Sequence, residues 1–423
     1  MNSRRLAAAA VVLAMLVPAV HAWAQESILI KNGTIVPVVG RPIPNGSLLI
    51  RQGKIVEIGT NVQAGPGAQV IDASGMYVYP GMVGVMTAIG VTGYPGAGND
   101  QNEIGVSTPQ VDPYDAINPE DETIEVTRIA GVTTVHTSSG SANVLNGNAV
   151  ILNLEGSLAS EMTVRHYAAQ IFNIGAKRAN TYPSTLSGTF SMIREKLDKA
   201  LEYAEKRGSG GTEERAKEGK RDLEMEALVP VVRGEVPAIF VTSDEVTLRN
   251  ALRIIKEYKL KGIVEASAAI HRFVDQLAAE HVPVLWAGTT TVPGPEEPFD
   301  LYYRAAALMA EKGVLFAFDV GGSHNVRNLP MPAALSVANG LPEEEAIKAL
   351  TINPAKILGI DSVVGSLEVG KTANVVVWNG SPIQMRSRVQ QVIINGKVIP
   401  LTSYQTRLRD TFEKIVRERM KKQ

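Results

Sequence analysis

Residues 262–286 read GIVEASAAIHRFVDQLAAEHVPVLW, and this stretch decides the fold class. It begins with a short apolar run at 262–264, continues through 268–280 with the spacing of a helix, and returns to an apolar run at 282–286. A strand, a helix and a second strand in this order predict a βαβ unit with parallel strands.

The same alternation fills the middle of the chain, roughly residues 81–358. Strand-like runs lie at 132–135, 238–241 and 314–318, and the helical stretch 245–258 follows the second of them. A (β/α)8 barrel usually takes about 250 residues, so this length favours a closed barrel over an open sheet. We therefore predict an α/β protein in which residues 81–358 form a TIM-like barrel.

Both ends of the chain have another pattern, in which short apolar runs alternate with turn residues. Residues 25–80 contain the hairpin signals Asn32-Gly33 and Gln52-Gly53, and residues 359–403 contain Asn395-Gly396. Such dipeptides between apolar runs predict antiparallel β structure. Because the two segments are similar, we expect them to form one composite β-sandwich into which the barrel is inserted.

The first 24 residues predict an export signal. Arg4 and Arg5 precede an apolar run, and Ala22-Trp23-Ala24 supplies the small residues of a cleavage site after Ala24. A membrane anchor is the alternative, although the apolar run is short for a span of about 20 residues. The sequence contains no cysteine, which excludes disulfides and thiolate metal ligands. We expect a periplasmic or secreted protein without stable membrane insertion after cleavage.

Charge and spacing give three further expectations. The net charge of −1 gives no reason to expect a nucleic-acid partner. The charged, Gly-rich residues 205–222 predict a solvated excursion. At residues 404–423, apolar side chains at helical spacing after Ser403 predict a capped amphipathic helix packed on the body, with a membrane surface as the alternative contact.

Several segments resemble the amidohydrolase superfamily in its imidazolonepropionase-like branch, and they occur in the superfamily's order over nearly the whole mature chain. The segments are Asn32-Gly33-Thr34-Ile35, Gly53-Lys54-Ile55, residues 71–75, Pro80-Gly81-Met82-Val83, and residues 130–135, 350–355 and 365–371. The resemblance implies a metal-dependent hydrolase barrel combined with a β-sandwich from both ends. It also implies hydrolysis of carbon–nitrogen bonds.

The metal ligands that the resemblance implies are missing. In the superfamily, Pro-Gly-x-x leads into Asp-x-His-x-His, and two histidines at this spacing on a strand point to one side and bind a metal. Here the position of the aspartate is Gly84, and the positions of the two histidines are Met86 and Ala88. Two later histidines of the superfamily correspond to Ser243 and Ala266, and the last-strand aspartate has a candidate remnant in Asp319. A methyl group cannot donate to a cation, and a thioether is a poor ligand for Zn²⁺ or Mn²⁺.

Other polar residues are candidates to line a pocket at the barrel mouth: Asp100, Glu103, His136, Asn143 and His324. Each has a structural alternative, since Asp100 and Glu103 can cap the next segment and the polar loop at 138–148 has ordinary turn chemistry. His136 and His324 are ligand candidates or structural residues. Of the other histidines, His21 leaves with the signal, and His166, His271 and His281 are expected to be surface or structural groups.

The sequence thus predicts an exported pseudoenzyme with an amidohydrolase fold, no catalytic residues and no cofactor. Its expected partner is a paralogous, intact amidohydrolase or a second copy of itself. The first alternative is an active hydrolase of non-peptide or dipeptide C–N bonds, with Zn or Mn bound in a rearranged site by His136, His324, Asp319 and Asp100. The second alternative is a periplasmic small-molecule binding protein that uses the vacated pocket.

Overall fold

The computed structural model describes residues 27–92, 100–177, 180–208 and 221–421. The predicted export signal, its cleavage site and most of the predicted excursion at 205–222 lie outside the described residues. Among the described residues, no helix combines the length and the apolar character needed to cross a bilayer.

Strands and helices are numbered separately in chain order. The strands are β1 (Ser27–Ile35), β2 (Ile43–Arg51), β3 (Lys54–Gly59), β4 (Gln69–Asp72), β5 (Tyr77–Pro80), β6 (Met82–Thr87), β7 (Val132–Ser138), β8 (Leu145–Asn153), β9 (Thr163–Arg165), β10 (Gln170–Asn173), β11 (Ala238–Thr242), β12 (Gly262–Ala266), β13 (Val284–Trp286), β14 (Phe316–Phe318), β15 (Val375–Trp378), β16 (Val389–Ile394) and β17 (Lys397–Ile399). The helices are α1 (Glu122–Arg128), α2 (Ala159–Met162), α3 (Leu186–Gly208), α4 (Leu223–Val232), α5 (Glu245–Tyr258), α6 (Val274–Ala279), α7 (Leu301–Glu311), α8 (Pro330–Ala338), α9 (Glu343–Leu350), α10 (Ile352–Ile357) and α11 (Tyr404–Met420).

One sheet combines the two ends of the chain, in the order β17-β16-β15-β5-β1-β2-β3, with β4 beside β1. The ends meet where β5 pairs antiparallel with β15, so that Tyr77 lies opposite Trp378. The turns at Gln52-Gly53 and Asn395-Gly396 both have positive φ angles, as predicted for hairpins. A Cβ atom on Gly396 would lie 2.5 Å from the Cα atom of Gly53, so these turns touch and leave no room for a side chain there.

The hairpin predicted at Asn32-Gly33 is wrong. Strand β1 continues through this dipeptide to Ile35, and its register with β2 shifts around Gly33. Asn32 has a φ of 63°, and its side-chain amide donates to Asp72 Oδ1 at 3.1 Å. The left-handed residue therefore forms a bulge inside the strand and does not reverse the chain.

The second sheet is the predicted barrel, in the order β14-β13-β12-β11-β10-β8-β7-β6. It closes where Thr87 bridges Gly322 and the N–H of Ala88 donates to the Gly322 carbonyl at 2.9 Å. The TIM-like α/β fold is confirmed, with one difference: β8 runs antiparallel to both of its neighbours. Only residues 139–144 join β7 to β8, and so short a connection returns the chain antiparallel.

The reversed strand β8 includes Asn146-Gly147-Asn148, which we predicted to lie in a polar loop. The N–H of Asn148 donates to the Val111 carbonyl at 2.9 Å. A Cβ atom on Gly147 would lie 2.1 Å from that carbonyl oxygen, so glycine permits the close approach of the two chains. The segment is therefore a strand that also contacts the chain segment around Val111.

An amide network joins the composite sheet to the barrel. The Asn374 side chain donates to Asn153 Oδ1 at 2.7 Å and to Thr134 Oγ1 at 3.1 Å. Asn153 in turn donates to Asn395 Oδ1 at 2.7 Å, and the Asn395 N–H donates to Asn374 Oδ1 at 2.9 Å. Because buried amides are costly to leave unpaired, this closed network fixes the two sheets relative to each other.

The helix predicted after Ser403 is present as α11, and Ser403 caps it by accepting the Thr406 N–H at 3.3 Å. The expectation that α11 packs on the body is wrong, because none of its residues is buried. Its first turn is attached to α1, where Arg407 donates to Glu125 at 2.8 Å. The attachment fixes the start of the helix and leaves its apolar side chains exposed.

Candidate functional site

Alternate residues of the barrel strands face two apolar clusters. Phe240 and Val264 belong to the large cluster that contains the surrounding helices. Ile239 and Ile263, on the opposite faces of the same strands, belong to an inner cluster with Val85. This alternation identifies which residues at the carboxyl ends of the strands face the barrel mouth, where barrel enzymes place their active sites.

Strand β6 contains a bulge at its carboxyl end, where it reaches the mouth of the barrel. Between the pairs Gly84–Val135 and Thr87–Thr137, β6 advances by three residues while β7 advances by two. Met86 lies in this bulge with a φ of 49°, a left-handed conformation that side-chain-bearing residues seldom adopt. The regular alternation on which a His-x-His pair depends is therefore interrupted where the resemblance places that pair.

The three positions in and just after β6 that the resemblance assigns to ligands carry no side chain suited to bind Zn²⁺ or Mn²⁺. A Cβ atom on Gly84 would lie 2.9 Å from Val326 Cγ1, so the side of β6 that it faces is filled. Met86 packs in the inner apolar cluster, and Ala88 is buried beside the closing bridge to Gly322. None of the three side chains offers an oxygen or nitrogen atom.

His136 is buried on β7 beside the bulge, with 0% of its surface exposed. Its Nδ1 accepts the Met86 N–H at 3.3 Å, which assigns the proton of the neutral ring to Nε2. Nε2 is buried and has no hydrogen-bond partner among the described residues. Burial lowers the pKa of His136 to about 4, so the imidazole is neutral at physiological pH.

Two carboxyl groups lie at the mouth on the opposite side of the closing bridge. Asp319 follows β14, is 6% exposed, and accepts the Gly321 N–H at 2.7 Å. Burial raises the pKa of Asp319 to about 7 in spite of this hydrogen bond. Burial, and then the negative charge of Asp319, raise the pKa of Glu265 well above its usual value. Two carboxyl groups with raised pKa values retain a proton between them near neutral pH.

Glu265 was missed by the sequence reasoning. The resemblance places a ligand at Ala266, which is buried in the outer cluster with the helices. Glu265 shares a strand face with Ile263 and therefore points into the barrel, where it stays half-buried. Its carboxyl group forms no hydrogen bond to the described part of the chain. Strict alternation from Ile263 is the sequence signal that would have identified it.

The remaining predicted residues are distributed around the mouth and serve local structure. Ser243 is exposed, and its N–H donates to Thr247 Oγ1 at 3.2 Å at the start of α5. Asn143 is buried, and its side chain donates to the Glu103 carbonyl at 3.2 Å, which ties two loops together. Asp100 is exposed at the beginning of one of these loops. These contacts favour the structural alternative for Asn143 and give Ser243 a role at the start of α5.

The other histidines are also outside the barrel interior. His324 is half-exposed, and its Nε2 lies 3.8 Å from Glu122 Oε1. His166 is exposed and pairs with Asp112 at 2.6 Å, as expected for a surface group. Neither contact gathers the further donors that a metal site needs.

The donors at the mouth do not fit a divalent metal. Protein zinc sites take three or four nitrogen, sulfur or oxygen ligands. Within the described residues, no three His, Cys, Asp or Glu side chains come together in a group that could hold a metal ion. His136 uses Nδ1 to accept a backbone N–H, and burial favours the protonated forms of Asp319 and Glu265. No catalytic step through a metal follows from this arrangement.

Comparison with known proteins identifies the lineage. A sequence model of the Amidohydrolase family matches residues 300–399. Imidazolonepropionase from Symbiobacterium thermophilum is 29% identical over 413 residues, which cover 83% of this chain and 90% of that protein. A crystal structure of an amidohydrolase from Thermotoga maritima MSB8 superposes with a TM-score of 0.80 at 29% identity, covering 88% of this chain and 99% of the other. Together these similarities support the amidohydrolase superfamily for this chain.

Other relatives agree at the level of the superfamily fold. Amidohydrolase tasK from Hapsidospora irregularis is 26% identical over 393 residues. That match covers 83% of this chain, which spans only 39% of the length of tasK. The predicted superfamily is confirmed by these similarities, while the loss of metal binding stays a prediction that rests on the residues at the mouth.

Proposed function

We propose that this protein is an exported, non-catalytic member of the amidohydrolase superfamily that works as a subunit beside a paralogous, intact amidohydrolase. The observation that supports the proposal best is the bulged end of β6. There, Gly84, Met86 and Ala88 stand where catalytic relatives are expected to carry Asp-x-His-x-His, and the backbone no longer has the geometry of that motif.

The chemistry of the mouth supports the same proposal. Metal-dependent hydrolysis requires an ion that lowers the pKa of water and polarises the scissile carbonyl. The groups at this mouth are a neutral imidazole and a carboxyl pair that retains a proton, and His136 cannot take a proton readily because its pKa is about 4. Neither group can replace the function of a metal-bound hydroxide.

The catalytic part of the proposal is tested by comparing the wild type with Asp319→Asn. Both proteins are assayed against dipeptides and cyclic amides, with and without added Zn²⁺ or Mn²⁺. We expect the same background rate for both proteins and no response to a chelator. Wild-type turnover that disappears in the variant and in the chelator would contradict the proposal.

The partner is tested by purifying the protein from its native envelope extract and identifying what accompanies it by mass spectrometry. We expect a stoichiometric second polypeptide of the same superfamily with an intact Asp-x-His-x-His motif. Recovery of this chain without such a polypeptide would remove the support for a partner role.

The two alternatives differ in what supports them. A rearranged metal site requires His136, His324, Asp319 and Asp100 to converge, and no three metal-ligating side chains do so among the described residues. A small-molecule binding protein is favoured by Glu265, which is half-buried at the barrel mouth and forms no hydrogen bond inside the described chain. A thermal-shift screen with dipeptides and lactams tests it, since a ligand of the folded state raises the melting temperature.

A further inference from the structure

Helix α11 is held to the rest of the protein near its first turn. The Tyr404 N–H and the Arg407 side chain both donate to Glu125 Oε2 of α1, at 2.9 and 2.8 Å. Every residue from 407 to 421 is exposed. Because a helix of 17 residues extends for about 25 Å, most of this length is available to contact another surface.

The exposed part of α11 carries an apolar stripe. Leu408, Phe412, Ile415 and Val416 occur at spacings of three and four residues, which place them on one side of the helix. Phe412 is 59% exposed, and Met420, which extends the stripe by one turn, is 71% exposed. A row of large apolar side chains in water is typical of a surface that binds a protein or a membrane.

The positive charge of the chain is concentrated on the same helix. Residues 404–423 carry seven Lys and Arg against three Asp and Glu, whereas the whole chain has a net charge of −1. Two of the three acids, Asp410 and Glu413, are already paired with arginines of α11. Lys414 and Arg419 form no ion pair with any described residue. The surface that covers α11 is therefore expected to be negatively charged.

One of the unpaired cations lies in the stripe itself. Arg419 follows Ile415 by four residues and Val416 by three, so the three side chains share one side of the helix. The long stem of an arginine can lie along apolar groups while its guanidinium extends outward. A guanidinium also matches the geometry of a phosphate. The stripe thus suits a surface in which phosphates lie directly above an apolar layer.

Other partners for α11 within the same protein are disfavoured by charge. Two α11 helices side by side would bring their excess positive charges together. The apolar groove beside α8 is lined by Arg327 and Arg388 and by no carboxylate of the described chain, so it would repel α11 of another copy. Among the described helices, α11 included, none is suited to cross a bilayer. The remaining arrangement is a helix lying in the plane of a bilayer surface.

We propose that α11 binds the surface of a bilayer that contains anionic phospholipids. The apolar stripe enters the boundary between headgroups and acyl chains, and Arg419 contacts lipid phosphates. Amphipathic helices bind in this way with a strength that depends on buried apolar area and on attraction to anionic lipid. The proposal concerns where the protein is held, and it does not depend on the non-catalytic role.

The proposal is tested by flotation of the purified protein with two kinds of vesicle. One kind contains phosphatidylglycerol and phosphatidylcholine, and the other contains phosphatidylcholine alone. We expect the wild type to float with the first kind and to stay in solution with the second. Binding should be lost at an ionic strength of about 1 M, where the Debye length falls to about 3 Å.

Two variants separate the apolar and the charged contributions. Phe412→Ser should weaken binding to the phosphatidylglycerol vesicles about tenfold or more, because it removes a large apolar side chain. Arg419→Gln should weaken it about fivefold, the effect of one cation near an anionic surface. Each variant has a matched control. Phe299→Ser changes a residue that is 81% exposed outside α11 and should have no effect, and Lys414→Gln, two residues after Phe412 and so on the far side of the helix, should weaken binding less than Arg419→Gln.

A spectroscopic variant reports whether the stripe itself enters the bilayer. Phe412→Trp should shift its emission to shorter wavelength when phosphatidylglycerol vesicles are added, while Trp286 and Trp378 are buried and should not respond. Circular dichroism shows whether each variant keeps its helix content. A wild type that binds neither kind of vesicle, or both equally, would overturn the proposal. So would equal losses in Arg419→Gln and Lys414→Gln, or a dimer that Phe412→Ser dissociates without any vesicle binding.

Discussion

Replacing Asp319 with asparagine tests whether the carboxyl group at the barrel mouth is uncharged and unaccompanied by a cation. Asparagine has nearly the same shape and keeps an oxygen that can accept the Gly321 N–H. It removes only the ability to ionise. The variant is expected to be more stable than the wild type at alkaline pH and similar to it at acid pH.

The magnitude follows from the pKa of Asp319, which burial raises from 3.8 to about 7. Well below pH 3.8 the carboxyl group is protonated in both the folded and the unfolded chain, so it contributes no difference. As the pH rises from 4 to 7, the unfolded chain ionises first, and the free energy of unfolding falls. Raising the pKa of Asp319 by about three lowers the free energy of unfolding by at most about 4 kcal/mol, and the full decrease is reached above pH 7.

The assay is urea unfolding of the wild type and Asp319→Asn at pH 4.5 and pH 8, followed by tryptophan fluorescence. The stability advantage of the variant should appear at pH 8 and diminish at pH 4.5. Asp72→Asn is the matched control, because hydrogen bonds from Ser74 and Asn32 lower the pKa of this exposed carboxyl group and give the opposite sign. A variant less stable than the wild type at pH 8 would refute the reasoning, since it would mean that a bound cation compensates an ionised Asp319.

Three further predictions concern the mouth, the joint between the sheets and the last helix. Met86→His combined with Ala88→His should leave the zinc content unchanged after incubation with Zn²⁺, because the bulge holds the two positions out of alternation; stoichiometric zinc by plasma mass spectrometry would contradict this. Asn374→Ala should lower the free energy of unfolding by about 1–3 kcal/mol, because it leaves buried partners unpaired; an unchanged urea midpoint would exclude a stabilising network. Ser403→Ala should destabilise α11 by about 1 kcal/mol, because it removes the hydrogen bond that caps the helix. Circular dichroism should show less helix, while the main melting transition stays unchanged. Loss of the main transition would show that the cap also stabilises the barrel and the composite sheet.

The fold was largely predictable because its signals are local. The strand–helix alternation identified the barrel, and the turns at Gln52-Gly53 and Asn395-Gly396 have the predicted positive φ angles. The same type of dipeptide at Asn32-Gly33 forms a bulge inside β1, where the Asn32 side chain donates to Asp72. Local sequence does not reveal this contact with a residue 40 positions away. The reversed strand β8 was missed because its asparagines resemble those of a loop.

The candidate site was less predictable because it depends on contacts between distant strands. The sequence predicts that Met86 and Ala88 are not metal ligands, but it does not predict the bulge opposite His136, which exists only in the register of β6 against β7. Glu265 was overlooked because a charged residue inside a barrel departs from the usual pattern of burial. Helical spacing predicted α11, but spacing alone does not specify which surface covers its apolar stripe.

The metal content of the purified protein tests the central claim most directly. Plasma mass spectrometry of protein prepared without chelators and dialysed into metal-free buffer should find no stoichiometric zinc, manganese or iron. One tightly bound metal per chain, released by a chelator and absent from Asp319→Asn, would contradict the claim that this barrel has lost the site on which hydrolysis in its superfamily depends.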